Sequence, residues 1–180
     1  MILDIEKIGS EKLRTKAAPV PFVTDELRAL AEDMLETMYK AKGVGLAAEQ
    51  VGRTEALFVI DVPESCEDDD ETRAFNAKVR QPLVCFNPQI LSKSGEQDGR
   101  EGCLSVPNCG ADVKRAAEVT MQYVDAAGVP QIAVARGFLA RAMQHERDHL
   151  DGVLYVDLLD EKTREKVLAK MAKNAKKKKK

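Results

Sequence analysis

At 180 residues with ordinary hydrophobic content (44%), the chain is long enough to bury one domain core and too short for two. No apolar run approaches the roughly 18 residues of a membrane span, and the opening Met1-Ile2-Leu3-Asp4-Ile5-Glu6-Lys7 is too acidic for an export signal, so a cytoplasmic protein with reduced cysteines is expected. The net charge of −2 conceals a split: residues 161–180 carry a net +8 and residues 1–160 a net −10, an acidic body with a basic arm.

Met1 to Pro21 is expected to be irregular, closed by Pro19 and Pro21. Thr24 then fits an N-cap, Asp25 and Glu26 favour the helix dipole, and Leu27, Leu30, Ala31, Met34 and Met38 recur at helical spacing up to a stop at Lys40, Lys42 and Gly43. Gly43-Val44-Gly45, leading to Gln50, reads on its own residues as a tight turn, or as an extended edge to which a peptide could add as a strand. Ala56–Val62 is a buried strand by its β-branched and aromatic run. Pro63–Pro82 is a polar insertion expected to form a surface loop, whose acidic cluster Glu67–Glu71 lacks the spaced pattern of a calcium loop. Leu83–Asn87 is a strand ended by Pro88, with Ile90-Leu91 continuing the sheet beyond it.

Ser94–Gly99 reads as a turn-rich loop, and Ala117–Asp125 with Val129–Ala135 as a hairpin around Ala126-Ala127-Gly128. Arg136–Leu150 is one amphipathic helix with Gly152 past its end, and a last helix begins near Asp160, with Val167, Leu168, Met171 and Ala172 as its apolar stripe before the lysines 176–180. The expected class is α+β, with antiparallel sheets packed around the Arg136–Leu150 helix and further helices near each terminus.

The chemistry concentrates on that helix. Gln144-His145-Glu146-Arg147-Asp148-His149 holds both histidines of the chain four residues apart, on one helix face, with Glu146 one step round. The same stripe carries Phe138, Leu139, Ala142, Met143 and Leu150, so the imidazoles are expected to point inward, where a divalent cation would partner them. A catalytic site needs a third protein ligand and an open position. The chain matches H-E-x-x-H-x-x-G-x-x-H up to Gly152 but ends on Tyr155, and the downstream acids Glu161 and Glu165 lie in the basic segment. Cys103, after Glu101-Gly102, is the best thiolate candidate; Cys66 lies in the insertion and Cys85 in a core strand. A closed Cys103–Cys109–His145–His149 site remains as an alternative, although its cysteine gap exceeds the usual two to about four residues and leaves Glu146 idle.

Three blocks, GVGLAAEQ (Gly43–Gln50), EGCLS (Glu101–Ser105) and QHERDH (Gln144–His149), resemble in order and spacing the three signature motifs of peptide deformylases, and the likeness spans about residues 1–160. The resemblance implies a catalytic domain over 1–160 followed by a basic helix and tail over 161–180. It implies hydrolysis of the N-formyl group from formylmethionyl nascent peptides, one divalent metal held by Cys103, His145 and His149, Glu146 as the acid–base group, and Gln50 with the Leu104 N–H as oxyanion donors. The implied native ion is Fe²⁺, with Zn²⁺, Ni²⁺ or Co²⁺ as replacements. Gly43, Val44 and Gly45 would hold the peptide main chain, and Val44, Leu104, Phe138 and Ala142 the methionine side chain. Apart from the resemblance, the lysines 176–180 read either as a solubilising tail or as a contact for an anionic surface such as ribosomal RNA, which would bring the protein to the ribosome. Against the family pattern, Glu49 adds a charge expected to face solvent, Arg100 stands where an acid is common, Gly110 stands where an arginine often contacts substrate, and the 64–81 insertion is long. A zinc peptidase and a metal-stabilised RNA-binding module are the competing readings.

Overall fold

The computed structural model describes residues 1–177, with side chains through Asn174; residues 178–180, the end of the expected lysine tail, lie outside them. Thr24 starts the first helix as its position predicts. Its hydroxyl oxygen accepts from Leu27 N (3.3 Å), and α1 runs Asp25–Lys40. The left-handed residue that ends the helix is Lys42 (φ 57°) rather than Gly43. Gly43 answers a different need, because a Cβ there would lie 2.7 Å from Leu104 Cδ1.

β1 (Gly45–Ala47), β2 (Leu57–Ile60), β3 (Leu83–Ser94), β6 (Glu118–Val124) and β7 (Pro130–Arg136) form one antiparallel sheet in that order, with β1 at its edge. β4 (Gln97–Cys103) and β5 (Val106–Arg115) pair as a second, two-stranded sheet. The helix α3 (Gly137–His149) packs Leu139, Ala140, Ala142 and Met143 onto Phe58, Ile60, Val119 and Met121 of the large sheet. Met34 and Met38 of α1 cover Val59 and Phe86 on its other face. The last helix, α4 (Glu161–Lys177), lays Val167 and Met171 against Val106, Ala111 and Val113 of β5. The described residues are thus mixed α and β, with antiparallel sheets and four α-helices, and no helix among them is long and apolar enough to cross a membrane.

Three expectations need correction. Pro88 does not end its strand: β3 continues to Ser94, because the missing N–H falls in a register shift between Phe86 and Gln89, where Asn87 (φ 49°) turns its amide to bond Val20 N and O, both at 2.7 Å. Gln97–Gly99 are strand rather than loop, and Val106–Arg115 form a strand that was not foreseen. The buried face of this small sheet carries Glu101 and Arg115 beside Ala111 and Val113, so apolar alternation is absent from β4 and cut to two residues in β5.

The insertion is likewise not a loop. Asp69 caps a short helix, α2 (Asp70–Asn76), and Glu67 is buried. The Glu67 carboxylate accepts from Phe138 N (2.8 Å) and Leu139 N (2.9 Å) in the first turn of α3, and from Asn76 Nδ2 (2.9 Å). Asn76 in turn brackets the Arg136 backbone. Since Arg136 offers α3 no capping side chain, the insertion supplies the cap from a distance in sequence. Gly137 (φ +59°) is required here, because a Cβ would lie 2.8 Å from Thr72 Cγ2. Glu67→Ala strands three buried donors and is expected to cost about 2–3 kcal/mol, lowering Tm by roughly 5–10 °C in calorimetry, with Glu67→Gln recovering part of the loss.

Candidate metal centre

β4 brings Cys103 to the last two turns of α3, where His145 and His149 stand one turn apart. Their Nε2 atoms are 3.2 Å from each other, and Cys103 Sγ is 3.4 Å from His149 Nε2. These three donors are the one group of three or more potential metal ligands found among the described residues, all within 4.8 Å of one another. Cys109 points elsewhere, with its Sγ 3.6 Å from Val167 O, so the closed four-ligand alternative does not form.

The donors are set for a cation. His145 Nδ1 lies 2.8 Å from Glu101 Oε1, an N–H donation that leaves Nε2 with its lone pair facing the cluster. Burial alone would raise the Cys103 thiol, yet His149 and His145 beside it bring it well below its ordinary value, toward the thiolate a metal needs. Three lone pairs this close repel unless something positive sits among them. The thiolate and imidazole set fits a borderline divalent ion.

Sequence reasoning missed the network that holds these ligands. Glu101, buried, accepts from Arg115 Nε (2.8 Å) and Nη2 (2.9 Å), Arg141 Nη1 (2.8 Å) and His145. Arg115 also donates to Asp148 Oδ2 (2.6 Å), one residue before His149. Burial works to raise the Glu101 carboxyl, but Arg115 and His145 outweigh it and hold it at about 2. The only signal in sequence was the position of Glu101 two residues before Cys103.

A cavity of about 280 Å³ opens beside the donors. Gly43, Val44, Gly45, Leu104, Phe138 and Ala142 are among its lining residues, as are Gln50, Cys103, His145 and Glu146, while His149 is not. Gln50 Oε1 accepts from Ala47 N (2.9 Å), which fixes the amide so that Nε2 faces Ser105 Oγ (3.1 Å) and Cys103 Sγ (3.4 Å). The Glu146 carboxyl rests on Gly45, where a Cβ would lie 2.7 Å from Glu146 Cδ, and its Oε2 is buried with no hydrogen-bond partner among the described residues. Burial raises this carboxyl to about 7, against the pull of His145 and His149.

Glu49 does not face solvent. It is fully buried, and neither carboxyl oxygen has a hydrogen-bond partner among the described residues. Burial first, and Glu146 nearby, push it to about 8. A carboxyl whose folded pKa is raised costs stability as pH climbs from about 4.5 to about 8. Glu49→Gln is therefore expected to match the native Tm at pH 5 and to exceed it by several degrees at pH 9, in paired thermal melts.

The polypeptide deformylase family model matches residues 2–165. A peptide deformylase of Alkalilimnicola ehrlichii is 45% identical over 172 residues, 96% of this chain and 90% of that protein. The crystal structure of peptide deformylase from Ehrlichia chaffeensis superposes with a TM-score of 0.89 at 34% identity, covering 99% of both chains, and that enzyme in complex with actinonin gives 0.85 at 34%, covering 96% and 97%. The family removes formyl groups from nascent peptides and depends on a metal. With its three sequence blocks gathered around one cavity, this chain belongs to the peptide deformylase family.

Proposed function

We propose that Cys103, His145 and His149 hold the metal of this deformylase, with Fe²⁺ as the native ion, and that Glu146 is its proton carrier. The observation that carries the reading is the convergence of one sulfur and two imidazole nitrogens beside an unpartnered, buried carboxyl in a cavity. A divalent ion bound there supplies Lewis acidity, polarising the formyl carbonyl and lowering the pKa of water toward about 7.

The remaining work falls to the chain's own groups. β1 is an edge strand paired only with β2; Gly43 N already donates to Met38 O and Val44 O accepts from Asp61 N, and the outer edge that begins at Gly45 holds a peptide by main-chain bonds whatever its sequence. Val44, Leu104, Phe138 and Ala142 take the methionine side chain. As water adds to the formyl carbon, Glu146 accepts its proton; as the C–N bond breaks, Glu146 passes that proton to the departing amine, leaving formate and a free N-terminus. The Gln50 amide, whose Nε2 donates to Cys103 Sγ at the cavity wall, and the Leu104 N–H stabilise the charge that grows on the formyl oxygen.

Residues 1–160 form the catalytic domain in this reading, and the basic segment 161–180 draws the enzyme to ribosomal RNA in the cytoplasm by salt-sensitive phosphate contacts. The test is formate release from formyl-Met-Ala-Ser by anaerobically prepared protein. Fast turnover that decays in air with iron and persists with nickel supports the assignment; cleavage of unformylated peptides without formate release overturns it.

A further inference from the structure

Lys42 and Arg100 line the same cavity as the peptide-holding residues, one on each lip. The lips meet where Gly43 touches Leu104. Neither side chain forms an ion pair among the described residues, although Asp112 is the register partner of Arg100 across the β4–β5 ladder, on a body whose residues 1–160 carry a net −10. Backbone features set where each side chain departs from the lip. Lys42 is one of three non-glycine residues with positive φ (57°), a conformation with a steric cost for a side chain of this length, and it sits on the turn that ends α1. Arg100 lies over Gly110: a Cβ there would be 3.2 Å from its Nε and 3.4 Å from its Cζ, as well as 2.8 Å from Glu101 O. The bare backbone of Gly110 is the trough that seats this guanidinium.

We infer that Lys42 and Arg100 select formyl-Met peptides with an acidic side chain among the first few residues after methionine. This inference rests on the deformylase reading and names the substrate class it favours. A peptide whose methionine fills the apolar wall must carry its next residues out between the two cations. The opposing field of the acidic body is screened beyond a Debye length of about 8 Å at physiological salt, so the nearby charges decide the preference. Two exposed contacts of this kind amount to about a tenfold preference, expressed mainly in KM.

The experiment compares three peptides, formyl-Met-Ala-Asp-Ala, formyl-Met-Ala-Asn-Ala and formyl-Met-Ala-Lys-Ala, all as C-terminal amides. The native enzyme is expected to rank them Asp over Asn over Lys in kcat/KM, with about a tenfold spread that shrinks in roughly 0.5 M salt. The Lys42→Gln/Arg100→Gln double variant is expected to bring the three within about twofold, and the charge-keeping Lys42→Arg/Arg100→Lys variant to restore the order. Equal rates in the native enzyme, or an unchanged spread in the double glutamine variant, would overturn the inference while leaving the deformylase reading intact. Formate from none of the three would remove both.

Discussion

Glu146→Gln is expected to lower kcat for formyl-Met-Ala-Ser by about 10²–10⁴-fold while metal content stays at one ion per chain. The substitution keeps the shape of the side chain that rests on Gly45 and removes only its capacity to accept and return a proton. Held at about 7 by burial, Glu146 is matched to both halves of that task at neutral pH. The loss corresponds to about 3–5 kcal/mol of transition-state stabilisation. Because nothing in the reading assigns Glu146 to substrate binding, KM is expected to change little. Stopped-time formate assays with metal analysis of the same sample decide the matter. A variant that keeps full turnover would remove Glu146 from the chemistry, and one that loses its metal would make it a ligand instead.

The second large effect is expected at Glu101. Glu101→Gln leaves Arg115 and Arg141 buried without the charge they share and, whichever way the amide turns, sets an NH2 against N–H donors, which weakens the contact that fixes the His145 ring. Breaking a buried ion pair from one side costs about 3–5 kcal/mol, which for a chain of this size is a Tm drop of about 10 °C or more. Losing the partner behind a metal-binding imidazole weakens metal affinity by about 10–100-fold. The acid sign follows from the depressed pKa: the stability Glu101 supplies is complete above about pH 4.5 and is lost as pH falls toward about 2. The variant should therefore show a flatter decline in Tm between pH 5 and pH 3 than the native protein. A native-like Tm with native-like metal retention would mean that the network is decorative.

Much of this was legible because it is local. The α1 cap at Thr24, the β6–β7 hairpin and the α3 stripe depend on residues a few positions apart, and helical spacing alone placed His145, Glu146 and His149 on one face. The three short blocks named the family and marked out one cavity. What sequence concealed was long-range and polar. β4 turns Glu101 inward and β5 turns Arg115 inward, which leaves Ala111 and Val113 as the one short stretch of apolar alternation in the pair. Glu67 resembles its acidic neighbours until it is seen some seventy residues away in sequence, accepting from Phe138 N and Leu139 N. Glu49 reads as a surface charge and is instead fully buried, a cost no pattern of hydrophobicity announces.

The most direct measurement is X-ray absorption at the metal edge of the isolated protein, with the metal counted per chain. One sulfur and two imidazoles around one ion is the predicted result, and the Cys103→Ala variant should lose the sulfur signal. Two sulfurs, which would recruit Cys109, or no sulfur at all in the native protein, would contradict the account.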